Sequence, residues 1–288
     1  MSVKTFAAID VGSFELTMKI FDFSGKNTMR EIDCIRQRID LGSGTYANGK
    51  ISNEKMDDLC HTLKEFAQIM EAYKVIAYKA YGTSAIRETE NTLILQDQIE
   101  QRTGIRVEIL SNSEQRFLDY KSIASKGETF RRIIEEKTAI LDIGGGSIQI
   151  SLFDKDTLVS TQNLRLGVLR LQELLNHLNA GSTQMEQLVD ELATAQLDDY
   201  KKLYLKDREI KNIIIVDDYL SPWAVRKAHE RGDGNAMVDS KAFYQLMESL
   251  RTRGTTELAK RMDIAEEKVP LVYISAVLIK RIAVLVGA

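Results

Sequence analysis

Apolar and polar positions alternate in the same way at two places along this chain. Leu16, Met18 and Ile20 interleave with Thr17 and Lys19, the period-two pattern of a strand buried on one face. The segment before them, Phe6-Ala-Ala-Ile-Asp-Val-Gly-Ser, is apolar up to a turn. Further on, Ala139-Ile-Leu-Asp-Ile-Gly-Gly-Gly-Ser reaches a turn and resumes as Ile148-Gln-Ile-Ser-Leu-Phe-Asp154. The two segments superpose without a gap: 132 residues separate Asp10 from Asp142, Gly12 from Gly144, Phe21 from Phe153 and Asp22 from Asp154. Each reads as strand, tight turn with an acid just before it, strand. The repeat predicts a duplicated unit and two domains, 1–125 and 126–288, joined through the polar stretch from Ser125 to Lys137.

The remaining pattern is α/β. Residues 30–41 predict a third strand, and Leu41-Gly-Ser-Gly through Asn48-Gly a loop. After Asn53, the apolar positions Met56, Leu59, Leu63, Phe66 and Met70 recur at helical spacing. Val75 to Ala80 predicts a strand, Gly82 a turn, Thr83 a helix start, and Arg106 to Leu110 a short strand. Ser111 and Glu114 fit a capping box. The second half predicts a strand over 158–166, helices over 168–178 and 184–203, a buried strand at Ile213–Val216, and helices over 240–262 and 271–286. The run Tyr200-Lys-Lys-Leu-Tyr-Leu-Lys-Asp-Arg reads as a solvated helix end.

Composition narrows the class. The chain has 288 residues, 44% hydrophobic, and its 39 Lys plus Arg against 42 Asp plus Glu give a formal charge of -3. That excludes a generally basic nucleic-acid coat, so duplex nucleic acid is not an expected partner and any polyanion must be held by a local site. The most apolar stretch, Ile274 to Val286, is broken by Lys280-Arg281 and falls short of the ~20 residues of a membrane span, so no membrane partner is expected. Met1-Ser-Val-Lys4 runs straight into a strand-like segment, where no signal peptide is expected. Cys34 and Cys60 cannot make a disulfide framework, and His61, His177 and His229 lack ligand spacing for zinc. The chain reads as a reduced, cytoplasmic α/β protein.

The candidate chemistry lies in the glycine turns. Gly144, Gly145 and Gly146 stand between two strands, where backbone N–H groups can approach phosphate oxygens closely. Asp142, at the end of the first of these strands, can hold Mg²⁺ or orient a water. A hairpin can also need such glycines for its turn alone, and the Asp10-Val-Gly-Ser13 copy favours phosphate over that alternative. Gly82-Thr-Ser-Ala-Ile-Arg87 follows a strand and opens a helix, where free N–H groups make an anion site. Arg87 in a first helical turn opposes the macrodipole. A phosphate gripped by its guanidinium fork explains that placement; an ion pair with Glu88 or Glu90 is the alternative.

These residues, in this order, resemble the exopolyphosphatase/guanosine pentaphosphate phosphohydrolase (Ppx/GppA) family over nearly the whole chain. Ala7-Ala-Ile-Asp-Val-Gly-Ser13 resembles the family's first phosphate loop, and Gly82-Thr-Ser-Ala-Ile-Arg87 its Gly-Thr-x-Ala-x-Arg segment. Leu141-Asp-Ile-Gly-Gly-Gly-Ser147 is similar to the second phosphate loop, and Leu166-Gly-Val-Leu-Arg-Leu171 to the Gly-x-x-Arg segment after it. The resemblance implies an actin-like ATPase fold (sugar kinase/hsp70/actin, ribonuclease H-like), α/β with two similar lobes facing a central cleft. Residues 1–125 would be the N-terminal lobe with the first phosphate loop and 126–288 the C-terminal lobe with the second. It also implies removal of terminal phosphates from polyphosphate or pppGpp with Mg²⁺. Phosphate would be held by Gly12, Ser13, Thr83, Ser84, Arg87, Gly144, Gly145, Gly146, Ser147, Gly167 and Arg170, and metal by Asp142 and Asp10. A homodimer stays open.

Several site positions depart from the family pattern. Ser13-Phe14-Glu15 stands where the family continues Ser-Asn-Ser. Leu110-Ser-Asn-Ser-Glu-Gln-Arg116 replaces Ile-Ser-Gly-x-Glu-Glu-Ala, which puts Gln115 at the place of the family's catalytic base. Gln149 replaces a glutamate after the second loop, Asp217-Asp-Tyr-Leu-Ser-Pro222 a late Gly-rich turn, and Glu267-Lys-Val-Pro270 the family's Glu-Arg-Ala-Asp. Glutamine cannot take a proton from water, and losing a general base costs ~10²–10⁴ in rate. Glu114 points about 100° away on a helix and its capping role accounts for it; Glu15 is a candidate base whose charge also repels phosphate. Three readings compete: an active hydrolase using Asp142 with Glu15 or Glu114, a catalytically inactive phosphate- or (p)ppGpp-binding regulator, and another actin-like ATPase or sugar kinase. The missing glycine turn after Ile213–Val216 disfavours the third. The polyphosphate/guanosine phosphatase-type function is the reading adopted, with turnover open.

Overall fold

The computed structural model describes residues 4–25, 28–125, 128–179, 182–206, 208–217, 219–230 and 238–287. Contacts divide the chain into two units, Met1–Ser122 and Ile123–Ala288. In the first, strands β1 (Thr5–Val11), β2 (Glu15–Gly25) and β3 (Thr28–Arg38) form an antiparallel meander. Helices α1 (Leu41–Asn48) and α2 (Asn53–Ala72), strand β4 (Val75–Gly82), helices α3 (Ser84–Glu88) and α4 (Thr92–Thr103), and the two-residue strand β5 (Glu108–Ile109) follow. The sheet order is β3-β2-β1-β4-β5, with β4 parallel to β1 and β5 parallel to β4. Alternation decides the buried face: Ala7, Ile9 and Val11 of β1 and Leu16, Met18 and Ile20 of β2 join one core with Leu59, Leu63 and Phe66 of α2 and Leu95 and Ile99 of α4. Each large side chain so buried contributes roughly 1.5–3 kcal/mol.

The division falls within α5 (Asn112–Ala124). The second unit continues with α6 (Glu128–Glu135), β6 (Thr138–Ile143), β7 (Ile148–Asp154), β8 (Thr157–Leu164), α7 (Val168–His177) and α8 (Ser182–Tyr200). It ends with β9 (Asn212–Asp217), α9 (Ser221–Glu230), α10 (Ser240–Thr252), α11 (Thr255–Met262) and α12 (Val269–Val286). Its sheet order is β8-β7-β6-β9, with β9 parallel to β6.

The sequence repeat extends to the hydrogen bonding. Asp10 stands opposite Thr17 and Asp142 opposite Gln149, equivalent pairs under the same shift. Gly12 N–H donates to Glu15 O at 3.2 Å, and Gly144 N–H to Ser147 O at 3.0 Å. Pairing with the third strand slips at matching points, between Ile20 and Phe21 and between Leu152 and Phe153. Each unit is therefore a β-meander whose first strand recruits a parallel neighbour.

Five expectations need correction. Residues 41–48, expected as a loop, form α1: Asp40 caps it by accepting from Ser43 N–H at 3.3 Å, and Gly49 closes it in the left-handed conformation at φ 73°. The stretch 240–262 is two helices, broken at Arg253-Gly254, and β9 is an edge strand with Ile215 40% exposed. Tyr200 is buried, because α8 runs into a π-helical turn (Lys201–Leu205) that also buries Leu205. Burial pushes the Tyr200 phenol well above its usual range. Finally, Glu266–Val286 is long and apolar enough to cross a membrane, but most of its apolar stretch is buried inside the protein. α12 packs on α7, α8, α10 and α11 as the core helix of its unit. Its charged break is met by α8, with Lys280 Nζ 2.9 Å from Glu186 and Arg281 Nε 3.5 Å from Asp190.

Candidate functional site

In the second unit the glycine loop leans on the start of α7. Gly144 O accepts from Val168 N–H at 3.0 Å, and Gly145 O from Leu169 N–H at 2.9 Å and Arg170 N–H at 3.1 Å. Arg170 Nε donates to Gly146 O at 2.9 Å. Gly167 is the helix N-cap, and a Cβ there would lie 2.2 Å from Gly146 C and 2.3 Å from both Gly145 O and Ser147 N. Only glycine permits this approach. No described peptide is cis, and a planar trans peptide sets its N–H opposite its C=O. Three successive carbonyls turned toward α7 therefore turn the N–H groups of Gly145, Gly146 and Ser147 to the other side, the arrangement of an anion-binding concavity. Ser147 Oγ accepts from Asn163 Nδ2 at 3.0 Å, which keeps its own proton for an acceptor. Gly167 and Arg170 thus brace the loop from behind.

Asp142 is half-buried at the end of β6, with the buried Gln149 opposite it on β7. Asp10 holds the equivalent place on β1 and is exposed. Among the described residues no group of three or more His, Cys, Asp or Glu is placed to hold a metal ion. Each hairpin instead has a single aspartate just before its glycine turn. That suits Mg²⁺, which takes one or two carboxylates and fills its shell with water and substrate phosphate oxygens.

In the first unit Gly12 is needed for the turn, since its Cβ would lie 2.7 Å from Glu15 O. Ser13 O accepts from Gly42 N–H at 2.7 Å, and Phe14 O from Ile39 and Asp40 N–H at 3.1 Å each, so α1 braces this loop as α7 braces the other. The Ser13 and Ser84 hydroxyls lie 3.0 Å apart, and Tyr46 reaches both. Thr83 N–H donates to Val11 O at 3.3 Å. The two departures, Phe14 and Glu15, are matched on β3: Arg38 lies 5.0 Å over the Phe14 ring, and Arg36 Nε is 3.7 Å from Glu15 Oε1.

Arg87 does start near a helix, but α3 is a single turn, so the guanidinium also belongs to its last turn, and the expected opposition to the macrodipole disappears. Its Nη1 donates to Leu110 O at 2.7 Å and Gln115 Oε1 at 3.4 Å. Burial lowers its pKa from the usual arginine value, against the pull of Glu88. Gln115 is thereby brought to Arg87, while Glu114 is held elsewhere. Glu114 Oε2 accepts from Ser111 N–H at 2.9 Å and Ser111 Oγ at 2.8 Å, and Glu114 N–H returns to Ser111 Oγ at 3.2 Å. The capping box is present, and the backbone bond from Ser111 pulls the Glu114 pKa down, which makes it a weak base. The contacts of Tyr46, Asn163, Arg36 and Arg38 were not legible in the sequence: each is a tertiary contact with no local motif.

The sequence pattern of the Ppx/GppA phosphatase family matches residues 20–282. Exopolyphosphatase 1 of Mycobacterium tuberculosis is 27% identical over 144 residues, 50% of this chain and 40% of that protein. The guanosine-5'-triphosphate,3'-diphosphate pyrophosphatase of Photobacterium profundum is 25% identical over 160 residues, 54% of this chain and 31% of that one. The chain thus matches less than half the length of these curated relatives. The crystal structure of an exopolyphosphatase from Cytophaga hutchinsonii superposes with a TM-score of 0.76 over 98% of this chain and 91% of its own, at 20% identity, and shares the fold. With a family match that runs from Ile20 to Ile282 and leaves neither unit outside it, the chain belongs to the Ppx/GppA phosphatase family, on the actin-like ATPase fold.

Proposed function

We propose that this chain binds the phosphoanhydride chain of inorganic polyphosphate or pppGpp and releases its terminal phosphate slowly. The observation that carries this reading is the glycine loop, whose Gly144, Gly145 and Gly146 carbonyls are bonded to α7; trans peptides then set the following N–H groups on the opposite side. The exopolyphosphatase and guanosine pyrophosphatase relatives support the substrate class. In the second unit Ser147 donates its hydroxyl proton to a phosphate oxygen; the first unit, taken by itself, has phosphate donors in Ser13, Thr83, Ser84 and Arg87. Asp142 in the second unit and Asp10 in the first are each a carboxylate that would hold Mg²⁺, which when bound neutralises phosphate-oxygen charge. Gln115 holds a water by hydrogen bonds but cannot deprotonate it, which places hydrolysis ~10²–10⁴ below that of a carboxylate-based site.

Phosphate release from long-chain polyphosphate and from pppGpp, with Mg²⁺ and with EDTA, tests the reading. Slow, Mg²⁺-dependent release is expected. Release at the 1–10³ s⁻¹ typical of enzymes would refute the impaired-base part, and neither binding nor release would refute the substrate class. A second reading, a regulator that binds these polyanions without turnover, is favoured by the Gln115 amide on Arg87 and by Gln149 beside Asp142. Saturable binding with no release selects it.

A further inference from the structure

Tyr46 lies on α1, in a segment whose glycines disguise a helix, and its hydroxyl closes a triangle. Tyr46 Oη is 2.8 Å from Ser13 Oγ and 2.8 Å from Ser84 Oγ, and the two serine oxygens are 3.0 Å apart. The three groups come from three elements: the first glycine turn, α1 and α3. Both serines are only 7% exposed, so bulk water does not compete freely for them.

Proton counting says what the triangle can do. Each hydroxyl carries one proton and can accept on its oxygen, so three protons serve three edges. A triangle bends every edge, because the angle between two edges is about 60° while a hydroxyl hydrogen stands near the tetrahedral angle; bent bonds fall short of the preferred 150° and are weak. One proton can therefore turn out of the ring at small cost. A phosphate oxygen only accepts. If it takes the proton of one serine, the remaining two protons still run from Tyr46 to the other serine and on to the donor. Each donor is then polarised by the one behind it.

We propose that Tyr46 is a positioning residue for phosphate: it holds the Ser13 and Ser84 hydroxyls together and stands at the head of a hydroxyl relay that ends on a phosphate oxygen. The proposal rests on the phosphate-binding reading above and adds to it a residue that no motif marks.

Tyr46→Phe keeps the ring and removes only the oxygen. Calorimetric titration of tripolyphosphate into the full chain, beside Ser84→Ala, Ser84→Thr and the Tyr46→Phe/Ser84→Ala double variant, tests the relay. Tyr46→Phe is expected to weaken binding about three- to tenfold, the range of one neutral hydrogen bond. Ser84→Thr, which keeps a hydroxyl, should restore most of what Ser84→Ala loses. The double variant should lose less than the product of the two single losses, since each single change already removes a member of the same relay. A lowered melting temperature with unchanged affinity in Tyr46→Phe would overturn the proposal and leave Tyr46 a packing residue; fully additive losses would overturn the relay. Absence of binding by the wild-type chain would overturn the phosphate reading itself, and this proposal with it.

Discussion

Replacing Gly167 by alanine puts a carbon 2.2 Å from Gly146 C and 2.3 Å from Gly145 O and Ser147 N. All three are backbone atoms, so relief requires the loop and the start of α7 to part. Parting loosens the bonds from Val168, Leu169 and Arg170 N–H and from Arg170 Nε to the loop carbonyls. Each is worth about 0.5–1.5 kcal/mol net, and overpacking alone costs about 1–3 kcal/mol. A loss of about 2–4 kcal/mol follows, allowing for partial retention of the bonds. Gly254 supplies the control. It is also a helix N-cap, at φ -70° and ψ 152° against -68° and 153° for Gly167, yet a Cβ there meets nothing within 4 Å. Gly254→Ala therefore carries the N-cap preference alone, about 1 kcal/mol or less. Urea unfolding of the two variants beside the wild type isolates the crowding term, and tripolyphosphate titration of folded Gly167→Ala should show weakened binding. Equal midpoints for the two variants would refute the idea that the loop leans on α7.

Gln115→Glu should raise turnover at least tenfold, about 1.4 kcal/mol of barrier, in a phosphate-release assay. Recovery stops short of complete because Gln149, Phe14 and Glu15 remain and because the new carboxylate also pairs with Arg87. An unchanged rate removes Gln115 as the cause of slow hydrolysis. Fast wild-type hydrolysis abolished by Glu15→Gln or Glu114→Gln would show that the base has moved. Glu186 accepts from Arg251, Lys280 and Tyr273, and Arg251 foremost holds its carboxyl at about 2, below the ordinary 4.5. Because the folded value is depressed, its contribution is complete above about 4.5 and is lost as pH falls toward 2. Glu186→Gln should lower the urea midpoint at neutral pH and flatten its fall between those values; an unaltered acid profile would contradict this.

The hairpins were legible because period-two alternation and a gapless repeat are properties of the chain itself: Leu16, Met18 and Ile20 are buried, and each turn closes with its own equivalent hydrogen bond. α2 was legible for the same reason, its apolar face being set by local spacing. α1 was not. Its buried residues are Leu41, Gly42 and Thr45, too few to show a period, and Gly42 is held by Ser13 O from another element. The useful local signal was the pair of caps, Asp40 before it and Gly49 after. At the site, the glycine turns and Arg87 could be named from motif, but their partners could not. That Arg170 bonds to a carbonyl behind the loop, that Arg38 covers Phe14, and that Tyr46 joins two serines all depend on chain-distant contacts. Tyr200 misled because Lys201 and Lys202 look solvated, and they are, while the ring beside them turns inward.

Phosphate recognition is tested most directly by equilibrium titration of tripolyphosphate into the full chain, with and without Arg87→Ala, at one fixed salt concentration. The wild-type chain should bind saturably. Arg87→Ala should bind at least about tenfold more weakly, the lower end for a charge-assisted hydrogen bond, with a modest fall in melting temperature from the lost bond to Leu110 O. Identical affinities would remove Arg87 from the site, and a wild-type chain with no saturable binding would contradict the phosphate-binding function itself.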